Sequence, residues 1–164
     1  MATAANPYAG SLADRDPFSV LNATPSRLRE TAARLGTADL EQSLAPGKWS
    51  ARKIICHLAD CEIAFGYRWR QVAAQPKHAI QPFDQDLWAA QYDSLPANEA
   101  LEAFCGLRQW SNAWLSKLPR DTFEKPTTHP ERGELTLLKL LEITAGHDLH
   151  HLGQLDQIAA KGGR

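Results

Sequence analysis

Residues 136–163 read TLLKLLEITAGHDLHHLGQLDQIAAKGG, the longest helical pattern in the chain. Thr136 suits an N-cap, and the glycine pair at 162–163 supplies a stop. At about 100° per residue, Leu137, Leu140, Thr144, His147, His151, Gln154, Leu155 and Ile158 fall in one stripe roughly 100° wide. The stripe is apolar on both sides of the histidines, so His147 and His151 lie in the seam that faces a core. One turn apart on one face, their rings are able to converge on a single ion. His150 falls off the edge of the stripe, and Asp148 lies on its other margin.

Working back along the chain, the same layout applied to residues 51–74, capped by Ser50, gathers Ile54, His57, Cys61, Ala64, Phe65, Arg68 and Val72 on one face. His57 thus sits in the apolar seam of a second helix. A third helix is expected over about 98–118, stopped by Pro119, and a first over about 16–35, ended by Gly36. In that first block Thr24 and Pro25 suggest a short turn followed by a helix start. The connection at 75–98 is rich in Pro, Gln and Asp and has room for one helical turn at 86–92. No convincing strand is visible, and 120–134 reads as irregular. Four helices of about 20 residues, without a repeat, predict an all-α fold, a four-helix bundle with long crossover connections.

The 164 residues are enough for one domain with a sizeable core; 16–164 is read as that domain and 1–15 as a loose tail. The chain is 43% hydrophobic and 23% charged, with a formal net charge of −1, a balance that gives no support to nucleic-acid or membrane-surface binding. No apolar run approaches the ~18–20 residues that span a bilayer. The start lacks the basic and apolar regions of a secretory leader. Cys56, Cys61 and Cys105 form an odd set without a CxxC pair, which points to a reducing, cytoplasmic setting.

Three inward histidines on two helices would each cost about 1–3 kcal/mol if buried without partners, and a shared metal removes that cost. Neutral imidazole suits Zn, Ni, Fe or Cu, and three ligands leave a position open. A satisfied core histidine is the ordinary alternative for each ring taken singly. His78 and His129, in proline-rich loops, read as surface residues. The run HDLHH resembles the HExxH of metalloproteases, but Asp148 is a methylene shorter than the glutamate that chemistry uses. Di-iron bundles need Glu-x-x-His pairs, and none of the six histidines has one. Cys61, a turn beyond His57, is either a small core residue or a fourth ligand that would close the site. Arg68, two turns further along, either holds an anionic substrate group or reaches solvent. Trp49, Trp69, Trp88, Trp110 and Trp114 read as core and interface bulk.

Three pieces together, PGKWSARKIICHLADCE at 46–62, PFDQDLWAAQY at 82–92 and RGELTLLKLLEITAGHDLHHLGQL at 132–155, resemble the DinB/YfiT-like superfamily of metal-binding four-helix bundles. The likeness covers most of residues 17–160. It implies a divalent metal, zinc or nickel, held by His57, His147 and His151. Characterised relatives include transferases and isomerases that use low-molecular-weight thiols, while others are known only as metal-dependent hydrolases. Relatives often form dimers, and the third helix offers a face of Trp and Leu for a homodimer.

The leading expectation is therefore a metalloenzyme acting on a small molecule, with a thiol or water as nucleophile. Asp148 or His150 would orient a ligand or shuttle a proton, and Arg68, Cys61 and Gln154 would contact substrate. The competing expectation is a non-catalytic metal- or small-molecule-binding bundle. Recruitment of Cys61 into a closed shell would favour it, and an exchangeable position would favour catalysis.

Overall fold

In a computed structural model, which describes residues 6–162, six helices and one hairpin follow in the order α1 (Ala9–Leu12), α2 (Pro17–Arg34), α3 (Ala51–Ala74), α4 (Gln85–Ala89), α5 (Ala97–Leu115), β1 (Pro126–His129), β2 (Gly133–Thr136) and α6 (Leu137–Gly162). The long helices α2, α3, α5 and α6 form the bundle. Packing runs α2 to α6, α6 to α3, α3 to α5 and α5 back to α2. Helices consecutive in sequence, α2 and α3 or α5 and α6, therefore stand on opposite corners. This diagonal wiring is what the long connections permit, since a short turn joins only neighbours.

The local signals act as their chemistry dictates. Ser50 accepts a hydrogen bond from the Lys53 N–H at 3.3 Å and starts α3, and Thr136 does the same for Lys139 at 3.2 Å in α6. The first block differs from expectation. It is one continuous helix capped by Asp16, whose carboxylate accepts from the Ser19 N–H at 2.8 Å, and Pro25 lies inside it. A proline there leaves the Leu21 carbonyl without its helical donor. Asn112 on α5 donates to that carbonyl from Nδ2 at 3.1 Å, and Thr24 turns its hydroxyl to the Val20 carbonyl instead of capping. A tertiary bond thus repairs the break.

Two further expectations change. Residues 126–136 form a two-stranded antiparallel hairpin, with Thr127 opposite Leu135, so the chain is not free of strand. Of the expected loose tail, residues 6–12 are packed: Leu12 is buried, and Tyr8 packs against the core beside α6. Residues 1–5 and 163–164 lie outside the described residues.

The core is stratified. Leu137, Leu140 and Leu141 of α6 pack with Trp69 and Val72 of α3, Leu115 of α5 and Leu21 of α2 at one end. Leu152, Leu155 and Ile158 pack with Ile54, Ile55, Leu58, Phe104 and Leu28 at the other. Fully burying each such side chain contributes about 1.5–3 kcal/mol. Between the two apolar layers lies a polar one: His57, Cys61 and Glu62 of α3, Arg108 of α5, and His147, Asp148 and His151 of α6, all buried. On the outside, α3 and α5 leave Ile63, Tyr67, Leu107 and Trp110 exposed. No helix among the described residues is long and apolar enough to cross a membrane.

Candidate metal centre

α3 and α6 run side by side, and their inward stripes deliver three imidazoles to one point. One ligand atom from each of His57, His147 and His151 lies within 4.8 Å of the others. Nε2 of His57 and Nε2 of His147 are 3.0 Å apart, close to the ~3.3 Å edge of a tetrahedron with metal–nitrogen bonds of ~2.0–2.1 Å. Burial pushes His57 down to about 3, with His147 adding to the effect. Burial also holds His151 well below the ordinary histidine value; the two neighbouring histidines reinforce it and a bond to Gln154 opposes it. Both rings are thus neutral near pH 7 and carry a free lone pair, as metal ligands must.

Their surroundings fix them. His151 Nδ1 lies 2.8 Å from Gln154 Oε1, an acceptor, so Nδ1 carries the proton and Nε2 is left for a ligand role. Trp49 lies against His57 with ring centres 4.7 Å apart, and Phe65 meets His147 edge-on at 5.4 Å. Tyr8 meets the same His147 edge-on at 5.3 Å. The approach needs Gly146, since a Cβ there would stand 2.7 Å from both the Tyr8 carbonyl oxygen and its Cβ. His147 Nδ1 is buried without a hydrogen-bond partner. Three converging imidazole nitrogens, two of them on rings held neutral by burial, are what a divalent cation would satisfy, so the donor set fits a metal.

The remaining candidates separate. Cys61 Sγ is 3.4 Å from His57 Nε2. Burial, reinforced by the Asp148 and Asp60 charges, pushes its thiol up, so in the metal-free site it is a protonated small side chain. Asp148 lies 3.8 Å from His147 Nδ1, beyond a hydrogen bond, and lines neither cavity described below. Arg108 claims it: Nη1 donates to Asp148 Oδ2 at 2.5 Å, while Nε and Nη2 donate to Glu62 Oε2 at 2.9 and 2.6 Å. Burial pushes Asp148 up, but the Arg108 charge, helped by His147 and by the Arg108 hydrogen bonds, outweighs it and brings it below the usual carboxylate value. For Glu62 burial wins over the same arginine and raises it, in keeping with a buried Oε1 that has no partner. Nothing in the stripe analysis singled out Glu62 or Arg108, because a buried charge on α5 carries no local signal.

Two cavities open on the histidines. One of about 470 Å³ is lined by His57, Cys61, His147, Phe65, Arg68 and Arg132, among others, and also by His129, which differs from its expected place on the surface. The other, about 600 Å³, is lined by His151, Gln154, Trp49 and Lys48, with the exposed His150 on its wall. Tyr8 and Gln85 line both. Gln154, expected as a substrate contact, spends its carbonyl on His151.

A four-helix bundle with diagonal wiring and a three-histidine centre defines the class. The DinB superfamily profile matches residues 21–155, and the chain belongs to that superfamily. A protein of Oceanobacillus iheyensis, provisionally named a metal-dependent hydrolase, is 30% identical over 139 residues, 84% of this chain and 80% of its own. YfiT of Bacillus subtilis, provisionally named in the same way, is 24% identical over 150 residues, 89% and 84% of the two chains. The solved structure of YfiT, described as an unusual four-helix bundle topology, superposes with a TM-score of 0.83 at 22% identity, covering 90% of this chain and 86% of that one. A mycothiol-dependent maleylpyruvate isomerase shares the fold with a TM-score of 0.69 at 12% identity, over 85% of this chain and 59% of its own.

Proposed function

We propose that this protein is a metal-dependent hydrolase of small molecules, in which His57, His147 and His151 hold a divalent cation such as zinc or nickel. The observation that carries the reading is the convergence of three buried imidazoles, two of them held neutral by burial, His57 and His147 lining one cavity and His151 another. The names of the sequence relatives support hydrolysis. When bound, the cation would supply Lewis acidity, bringing the pKa of water or a thiol from its bulk value toward ~7.

The chain's own residues do the rest. Gln154 fixes the His151 tautomer, Trp49 and Phe65 hold the rings of His57 and His147 in place, and Tyr8 limits the entry of bulk water over His147. Three protein ligands leave a position for the nucleophile. One observation favours a second reading, transfer from a low-molecular-weight thiol: the histidines open on two cavities, and a two-substrate reaction uses both. Bound metal measured by mass spectrometry, followed by ester, amide and thiol-plus-electrophile assays, tests these readings with His151→Ala as control. The expected result is one metal per chain and turnover in the parent, with both lost in the variant. Equal turnover in the two proteins would reject catalysis at this site.

A further inference from the structure

The 470 Å³ cavity has a cationic wall that the three histidines do not explain. Arg68 stands on α3, 11 residues or about 16 Å of rise beyond His57, but helical side chains lean toward the N-terminus, back along the cavity. Its guanidinium lies 5.9 Å from the Phe65 ring centre and 5.3 Å from that of Phe83. One nitrogen, Nη2, donates to the Gln81 carbonyl at 2.8 Å. Burial lowers its pKa, and only Cys61 acts against that. Arg132, in the hairpin turn, lines the same cavity; burial lowers the pKa of His129 there, the two arginines add to the effect, and Glu131 opposes it. Among the described residues neither arginine forms an ion pair with a carboxylate. Of the two acids on the wall, Asp84 is engaged in capping α4 through the Asp86 and Leu87 N–H groups, and Glu131 is exposed.

We propose that this cavity binds a small organic oxyanion, a carboxylate or phosphate ester, with its charged group held by Arg68 and Arg132 and its apolar body against Phe65, Leu140 and Ile143, reaching toward the histidines. A guanidinium presents its donors as a planar fork that matches both kinds of oxyanion. Charge left unpaired by the protein, half-removed from water and facing a cavity, is stabilised when such a ligand arrives. The proposal deepens the hydrolase reading by naming the substrate class of the same site, and rests on that reading for the role of the metal.

Calorimetric titration of the purified, metal-loaded protein with benzoate, phenyl phosphate and neutral benzamide tests it, alongside Arg68→Gln, Arg68→Lys and Arg132→Gln. At least one anion should bind about tenfold or more tightly than benzamide, and which anion wins tells carboxylate from phosphate. Arg68→Gln and Arg132→Gln should each erase most of that preference, and Arg68→Lys should retain part of it. Equal binding of the anions and the amide, no saturable binding of any, or a preference untouched in both Gln variants would overturn the proposal. Metal content is measured on every sample. No anion preference in the fully metal-loaded parent refutes this inference alone, whereas anion binding by a parent protein that takes up no metal refutes the hydrolase reading alone.

Discussion

The histidine cluster and the two carboxylates held by Arg108 of α5 occupy adjacent faces of the same two helices, α3 and α6. His57 and Cys61 neighbour Glu62 on α3, and His147 and His151 flank Asp148 on α6. A step of one residue turns the helix by about 100°, enough to pass from one cluster to the other. Both are buried and polar, yet their chemistry is opposed. Arg108, with no exposed surface, donates four hydrogen bonds to two carboxylates and so satisfies most of its cluster from within, Glu62 Oε1 excepted. Burial keeps His57 and His151 neutral, His147 Nδ1 has no partner, and the three rings open on two cavities. A buried polar group that is satisfied by its neighbours holds a structure together, and one that is left wanting beside a cavity marks where a ligand belongs.

Breaking the closed cluster should have the largest effect. Arg108→Met leaves two buried carboxylates without a cation, and the loss should be about 3–5 kcal/mol, read from urea unfolding. Adding Glu62→Gln and Asp148→Asn should recover part of it; a single variant as stable as the parent would show the triad to be dispensable.

Next comes acid. In the metal-free protein the unfolded chain protonates His57 below its ordinary 6.5, while the folded site resists until about 3. Across that window the unfolded state binds more protons, so stability falls as the pH is lowered through it. The melting temperature should decline from pH 7 to 4, and more gently in His57→Gln. A parent profile no steeper than the variant's would mean that the ring is charged in the folded state.

Gln154→Ala sharpens the contrast more quietly. Freeing the His151 tautomer should cost about 10–100-fold in metal affinity, with little change in unfolding. Unchanged affinity in a competition titration with a chelator would separate Gln154 from the site. Smallest is Gly146→Ala. The added methyl meets Tyr8 at 2.7 Å, and overpacking of about 1–3 kcal/mol is partly offset by ~1 kcal/mol of helix propensity. Lifting residues 6–12 should raise proteolysis near Tyr8; an unaltered cleavage pattern would show that the segment accommodates the methyl.

How much could be read in advance depended on range. The caps at Ser50 and Thr136, the extents of α3 and α6, and the inward placement of His57, His147 and His151 are local, carried by hydroxyls at helix starts and by i, i+3, i+4 periodicity. Pro25 misled for a matching reason, because the Asn112 bond that tolerates it comes from 87 residues away. The hairpin at 126–136 is four residues a strand, too short for alternation to show. Tyr8 bears no mark of its destination, since nothing in residues 1–15 tells of a glycine at 146.

The order of residues alone determined four amphipathic helices and which histidines each turns inward, because side-chain direction on a helix follows from spacing. Only the tertiary structure decided that α3 lies beside α6, that Arg108 takes Asp148 away from the histidines, and that Arg68 and Arg132 share a wall. Those facts depend on which helices become neighbours. Diagonal wiring through long connections leaves that choice to the packing of the whole core, where no local pattern records it.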